Sequence, residues 1–337
     1  MTEIVLLFGI NAIMVVGFQV FVGNTGLVSF GHIAFMAVGA YAAGIVAIPV
    51  SDKEIFLADL PGFLAGIELG VVPSLLVGGA TAGLLALITG IALMRLSGAA
   101  ASIATLGLLV IVVNVIAQAT PITNGPRTLF GVPRNTDFFW VFSSLAVVVL
   151  ISAAFKWSRA GLRARANRDD AIAAESAGIP SLPTRLLPFV LSAFITGIGG
   201  ALYAQLLTAF SPASFVIPQV VVILTMAIVG GIGSITGAVT GAALVTVLNE
   251  LLRRTEEGFG IAGLEIKAAT GMSAAVLGIA LILMLRWRPA GLLSAYEVQL
   301  GGRRRSPTAR EGPAPMPETS VGTAGDPSAE ASPGSSR

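Results

Sequence analysis

About nine apolar stretches, each of a length to cross a membrane and nearly free of charge, follow one another along the chain. They cover residues 4–22, 32–50, 71–94, 97–119, 138–156, 186–207, 218–232, 235–250 and 268–286. A helix through the hydrocarbon core of a bilayer needs ~20 mostly apolar residues. In that medium each backbone N–H and C=O must find its partner within the protein, which leaves helices and closed barrels as the only spanning structures. The run lengths select the first: an all-α, polytopic transmembrane helical bundle. The segments at 218–232 and 235–250 are short and interrupted by glycine, the mark of a broken or re-entrant piece.

Composition sharpens this reading. Only 11% of the 337 residues are charged and 55% are hydrophobic, whereas soluble domains carry ~25% charged residues. So few charges cannot coat a soluble globule, and the lipid bilayer must cover much of the surface. A net charge of +2 is no footprint for nucleic acid. The absence of cysteine and the single histidine, His32, exclude disulfides, thiolate metal sites and a histidine-rich metal centre. Glu3 stands where a signal peptide would carry basic residues, so the first stretch reads as a retained span.

Charge placement orients the bundle. The longest polar stretch between spans holds Lys156, Arg159, Arg163, Arg165, Arg168 and Arg185, which the positive-inside rule assigns to the cytoplasm. The basic flank Arg286, Arg288 and Arg303–Arg305 falls on the same side, and the acidic stretch with Asp52, Glu54, Asp59 and Glu68 falls outside. Counting spans puts the N-terminus outside and the C-terminus in the cytoplasm. Arg127, Arg134, Arg253 and Arg254 lie against this scheme, in loops it makes external. Residues 1–300 thus form one membrane domain with the polar loop 157–185. Residues 301–337, rich in Pro, Ser, Gly, Ala and Thr, read as a disordered cytoplasmic tail.

Within the polar loop, Asn167 is placed to cap a helix, Asp169 and Asp170 to occupy its first turn, and Gly178 to take the C′ position before Pro180 and Pro183. The expectation is a helix of roughly 8–10 residues, too short to stand alone in water and so docked on something. The alternative is a solvated loop that only sets topology. Two glycine-rich breaks, GNTGLVSFG at 23–31 and GGIGSITG at 230–237, echo each other. They fit either an internal repeat of the kind that frames transporter pathways or chance in a chain with 40 glycines.

Polar groups at membrane depth point to function. Asn11, Gln19, Asn24, Ser29, His32, Asn114, Gln118, Gln205 and Asn249 are the candidates. For the pathway, Asn24, Ser29, Gly31, His32 and Asn114 stand out, with Gly230, Gly231 and Gly233. The competing reading of each polar residue is a helix–helix hydrogen bond, worth ~0.6 kcal/mol; for His32 it is a structural role at a span start. No carboxylate sits at the centre of any span, so neither a proton relay nor a fixed cation site is visible.

The polar loop, as ARANRDDAIAAESAGI at 164–179, resembles the cytoplasmic coupling loop of permease subunits of bacterial ABC importers for branched-chain amino acids. GLVSFGHIAFMAVGAYAAG (26–44), RLSGAAASIATLGL (95–108), TNGPRTLFGVP (123–133), FVLSAFITGIGGALYAQ (189–205), SPASF (211–215), AIVGGIGSITGAVTGAAL (227–244) and RPAGLL (288–293) are similar to further elements of that family, in the same order. The resemblance covers about residues 10–295 and is nearest the M-type permease. Asn124-Gly125-Pro126 departs from the family's Gly-Gly, and Ala99-Ala100-Ala101 stands where bulkier residues are usual.

The resemblance implies a translocation pathway for branched-chain amino acids, made with a second permease subunit and served by an extracytoplasmic substrate-binding protein. Two ABC ATPase subunits would drive it, gripping the coupling loop through Arg165, Asn167, Asp170, Ala174, Glu175 and Gly178. The chain itself would carry no cofactor, ATP being bound by those partners. The chain would be a transport subunit of a bacterial plasma membrane, not an enzyme: none of Lys53, Lys156 and Lys267 follows a glycine, so no Walker loop is present. The same permease type importing urea, short amides or another small polar solute is the alternative. A secondary transporter would need the missing membrane carboxylate, and a membrane enzyme a general base or metal cluster.

Overall fold

The computed structural model describes residues 2–57, 59–257, 259–261 and 264–266, with scattered positions between 275 and 292. The helices are α1 (Thr2–Thr25), α2 (His32–Ala47), α3 (Val50–Phe56), α4 (Gly62–Ala65), α5 (Val71–Leu93), α6 (Gly98–Gln118), α7 (Thr120–Thr123), α8 (Phe138–Trp157), α9 (Arg159–Asp169), α10 (Ala171–Ser176), α11 (Ser181–Leu207), α12 (Ile217–Gly230) and α13 (Ile235–Glu257). A short antiparallel ribbon, β1 (Phe259–Ile261) with β2 (Leu264–Ile266), an isolated bridge between Leu129 and Phe210 and a 3-10 turn at Pro212–Ser214 interrupt the α-helices.

Seven of these helices, α12 with its short lead-in from Pro212, are long and apolar enough to span a membrane, and the bent pair α2–α3 makes up to eight. The expected span at 32–50 stops at Ala47, where Pro49 follows an extended Ile48 and the chain turns by 116° into α3. Most of the ninth expected span, 268–286, and the whole tail 301–337 lie outside the described residues.

Burial separates centre from periphery. In α1, 72% of the apolar window is buried, against 17% in α8. The first is a core helix; the second shows most of its surface to whatever surrounds the bundle. Glycine lets the central helices α2, α5 and α11 touch backbone to backbone. A Cβ on Gly78 would lie 2.8 Å from the Gly39 carbonyl oxygen, and one on Gly197 2.6 Å from that of Gly78. A similar interlock closes the hairpin of α12 and α13, where a Cβ on Gly241 would meet Gly230 Cα at 2.8 Å.

The bundle has two unlike ends. At one end lie α9, α10, the breaks at 26–31 and 231–234, and the turn after α5, where Arg185 donates to Leu96 O. Gly291 and Leu292 reach the same end, Leu292 N donating to Val229 O at 2.9 Å. At the other end lie Glu3, paired with Arg134 at 2.9 Å, and the bridge between Leu129 and Phe210. There Lys53 is buried and donates to Leu64 O at 3.2 Å and to Ile67 O. Its burial pushes the ammonium pKa down, and Glu68 partly restores it. Asn124 and Gly125 stand at the end of α7. Both take left-handed backbone, φ 65° and 66°, which Asn tolerates better than most residues.

Candidate functional site

The arginine-bearing end is built on α9 and α10. Ser158 caps α9, accepting from Gly161 N at 3.2 Å. Asp170 caps α10, accepting from Ile172 N at 2.9 Å and Ala173 N at 3.0 Å. The expected cap, Asn167, instead lies buried inside α9 and faces Ser181 Oγ at 2.7 Å. That Ser181 hydroxyl also lies 2.6 Å from Glu175 Oε1. The helix after the cap has six residues rather than 8–10. At its end Gly178, φ 78°, donates to Glu175 O, and Ile179 N donates to Ala174 O. That pair of bonds is the Schellman arrangement a C′ glycine allows. Ala174 packs inward, while Ile172 is 81% exposed. A small capped helix therefore presents an aliphatic side chain to its surroundings.

Cations of this end bond inward. Arg165 donates to Asn24 Oδ1 at 3.1 Å and to Lys156 O at 2.7 Å. Arg168 donates to Gly23 O at 2.6 Å, and Lys156 Nζ to Gly233 O at 2.5 Å. With its amide oxygen turned to the loop, Gln19 accepts from Gly233 N and from Ser234 N (3.0 Å). Cations suit the C-terminus of α1, where the helix dipole is negative and the last carbonyls lack intrahelical partners. The two glycine-rich breaks thus meet here, Gly23 against Gly233, around a cleft of about 10 Å³ with room for about one water. Gly231 and Gly233 hold φ of 114° and 120°, conformations closed to most residues, and Gly230 packs against Gly237.

Other candidates lie apart. His32, Ser29 and Gly31 are buried in the core. Ser192 Oγ donates to Gly17 O at 2.6 Å and so accepts from His32 Nε2–H, also at 2.6 Å. This leaves Nδ1 to accept from Ser29 Oγ at 3.0 Å. Phe18, Phe21, Phe35 and Phe189 surround the ring, so His32 ties α1, α2 and α11 together. Asn11 donates to Thr246 Oγ1 and Gln205 to Ser74 Oγ, both between helices. Asn114 and Gln118 are exposed on α6, well away from the arginine-bearing end. Sequence reasoning missed Ser192 as a partner, and counted Lys156 and Arg168 only as topology charges. A lysine closing a long apolar run was the available signal for Lys156.

A family model described as branched-chain amino acid transport system / permease component matches residues 1–285. The chain belongs to this family. Its curated relatives include the "High-affinity branched-chain amino acid transport system permease protein LivM" of Escherichia coli (strain K12), 27% identical over 88% of this chain and 71% of the relative. The protein of the same name from Salmonella typhimurium is 28% identical over 86% and 69%. No solved structure matches significantly. Membership in this permease family and the apolar helices together make the chain a multi-pass membrane protein.

Proposed function

We propose that the chain is the membrane-spanning permease subunit of an ABC importer for branched-chain amino acids. Separate ATPase subunits drive it, a second permease chain completes the pathway, and an extracytoplasmic binding protein delivers cargo. The arginine-bearing end faces the cytoplasm. One observation carries this reading: a capped six-residue helix, α10, stands with Ile172 exposed and is joined through α9, and the end of α8 that α9 grips, to the glycine breaks of two spans. A surface helix without a core of its own needs a partner. In this arrangement a push on α10 reaches the ends of α1 and α12 through hydrogen bonds, without passing through lipid. The names of the relatives support the substrate class.

The test is uptake of labelled leucine by the transporter assembled with its partners. Glu175→Arg and Gly178→Trp, both at exposed positions, are expected to abolish uptake while membrane insertion stays normal. Normal uptake and normal stimulation of ATP hydrolysis in either variant would remove the docking role.

A further inference from the structure

The outward face of α6 carries a feature that lipid does not satisfy. Ile103, Gly107, Ile111, Asn114 and Gln118 follow one another at helical spacing, all exposed. Asn114 lies sixteen residues from the start of α6, roughly 24 Å along it, still within the depth of a hydrocarbon core. Its Nδ2 donates to Val110 O at 2.8 Å within its own turn. An asparagine amide offers two donors and an acceptor oxygen, so half of the group faces outward. The hydroxyls of Thr81 and Thr89 on α5, by contrast, spend their one proton on their own helix. Two turns before Asn114, a Cβ on Gly107 would meet nothing within 4 Å, which leaves a notch in the same stripe.

Asn114 also sits on the rim of a cavity of about 330 Å³ between α6 and the entry to α12. The remaining wall is apolar: Leu109 and Val113 on one side, Phe215, Val216 and Ile217 on the other. That volume falls within the ~300–1,000 Å³ of small-molecule sites, which likewise combine apolar walls with a few placed polar groups. A bilayer has no use for the amide, and a flat helix–helix contact has none for the hollow. An aliphatic chain that ends in a charged, hydrogen-bonding head uses both.

We propose that this cavity is a cargo subsite on the translocation pathway. It takes the branched aliphatic side chain of the amino acid, and Asn114 binds the zwitterionic end. This deepens, and rests on, the importer reading above. The second permease chain lies across the gap from α6.

The chain has no cysteine, so single cysteines report without background. In the assembled transporter, Asn114→Cys is compared with Leu150→Cys, an exposed apolar position on α8. Each is treated with a membrane-impermeant methanethiosulfonate. A thiol in water ionises and reacts, whereas one in lipid does not, so the Asn114→Cys variant is expected to react at least about tenfold faster. Saturating L-leucine is expected to slow labelling of Val110→Cys several-fold; this variant, exposed one turn away on the cavity wall, keeps Asn114, and it also gives the water-access reading if Asn114→Cys does not assemble. Labelling no faster than in Leu150→Cys would assign the face to lipid. Labelling that leucine leaves unchanged, with cross-linking to the second permease chain through a photoreactive group attached to the thiol, would make it a subunit contact. Either result overturns the subsite. Leucine uptake by the unsubstituted transporter separates the two levels. If uptake is present but leucine does not protect the Val110→Cys variant, the subsite alone fails; if uptake is absent, the importer reading fails with it.

Discussion

At the scale of single residues, His32 is a buried polar node that holds helices together. His32 is fixed as the Nε2–H tautomer because Ser192 has already given its proton to Gly17 O. It sits between four phenylalanines and two serines, and its neutral ring closes a chain of hydrogen bonds across three helices. Replacing it with alanine leaves a cavity and takes away the acceptor of the Ser29 O–H. The expected cost is ~2–4 kcal/mol, read as a lowered unfolding midpoint in detergent. His32→Ala that unfolds with the parent protein would remove this role. The sequence made His32 visible as an oddity at a span start. Its partner Ser192 lies 160 residues away, and nothing local announces a bond that only the packing of α11 creates. The cap of α10 shows the same limit on a shorter scale. Asn167 and Asp170 are both good capping residues. Burial of Asn167 against Ser181, a tertiary contact, leaves the cap to Asp170.

At the scale of elements, α9 explains how a polar loop can act as a lever. It is a helix without an apolar periodicity strong enough to betray it, because part of the face it turns to the bundle bonds to carbonyls and an amide rather than to a hydrophobic core. Lys156, Arg165 and Arg168 join it and the end of α8 to the ends of α1 and α12. A charge-assisted hydrogen bond contributes ~1.5–3 kcal/mol, and 1.4 kcal/mol is about a factor of ten in an equilibrium. Loss of one such bond therefore shifts the balance between a held and a released glycine break by roughly ten- to a hundredfold. Lys156→Met and Arg165→Ala are expected to cut uptake by about tenfold or more while the assembled complex still hydrolyses ATP. Uptake and hydrolysis falling together would point instead to failed docking or assembly. The stop signal of α10 was legible in full, since Gly178 has one use at the end of a helix followed by proline.

At the scale of the whole molecule, run length and charge were enough to place seven spans and to set both ends of the bundle in the right relation. Arg134 meets Glu3 at the end opposite α9, as alternating spans require. The glycine echo proves to be a contact: the two breaks that look alike also touch, at Gly23 and Gly233. What run length could not give is the 116° turn after α2, because an apolar run continues through Ile48-Pro49-Val50 while the backbone does not. On the proposed function, α10 is the point where a partner on the cytoplasmic side takes hold. In this cysteine-free chain, Ile172→Cys in the assembled transporter is labelled with a short reagent that carries a maleimide and a photoreactive group. Illumination is expected to give a cross-linked product between this variant and the ATPase subunit. A variant that forms no such product, and whose thiol reacts with an impermeant maleimide from outside intact cells, would contradict it.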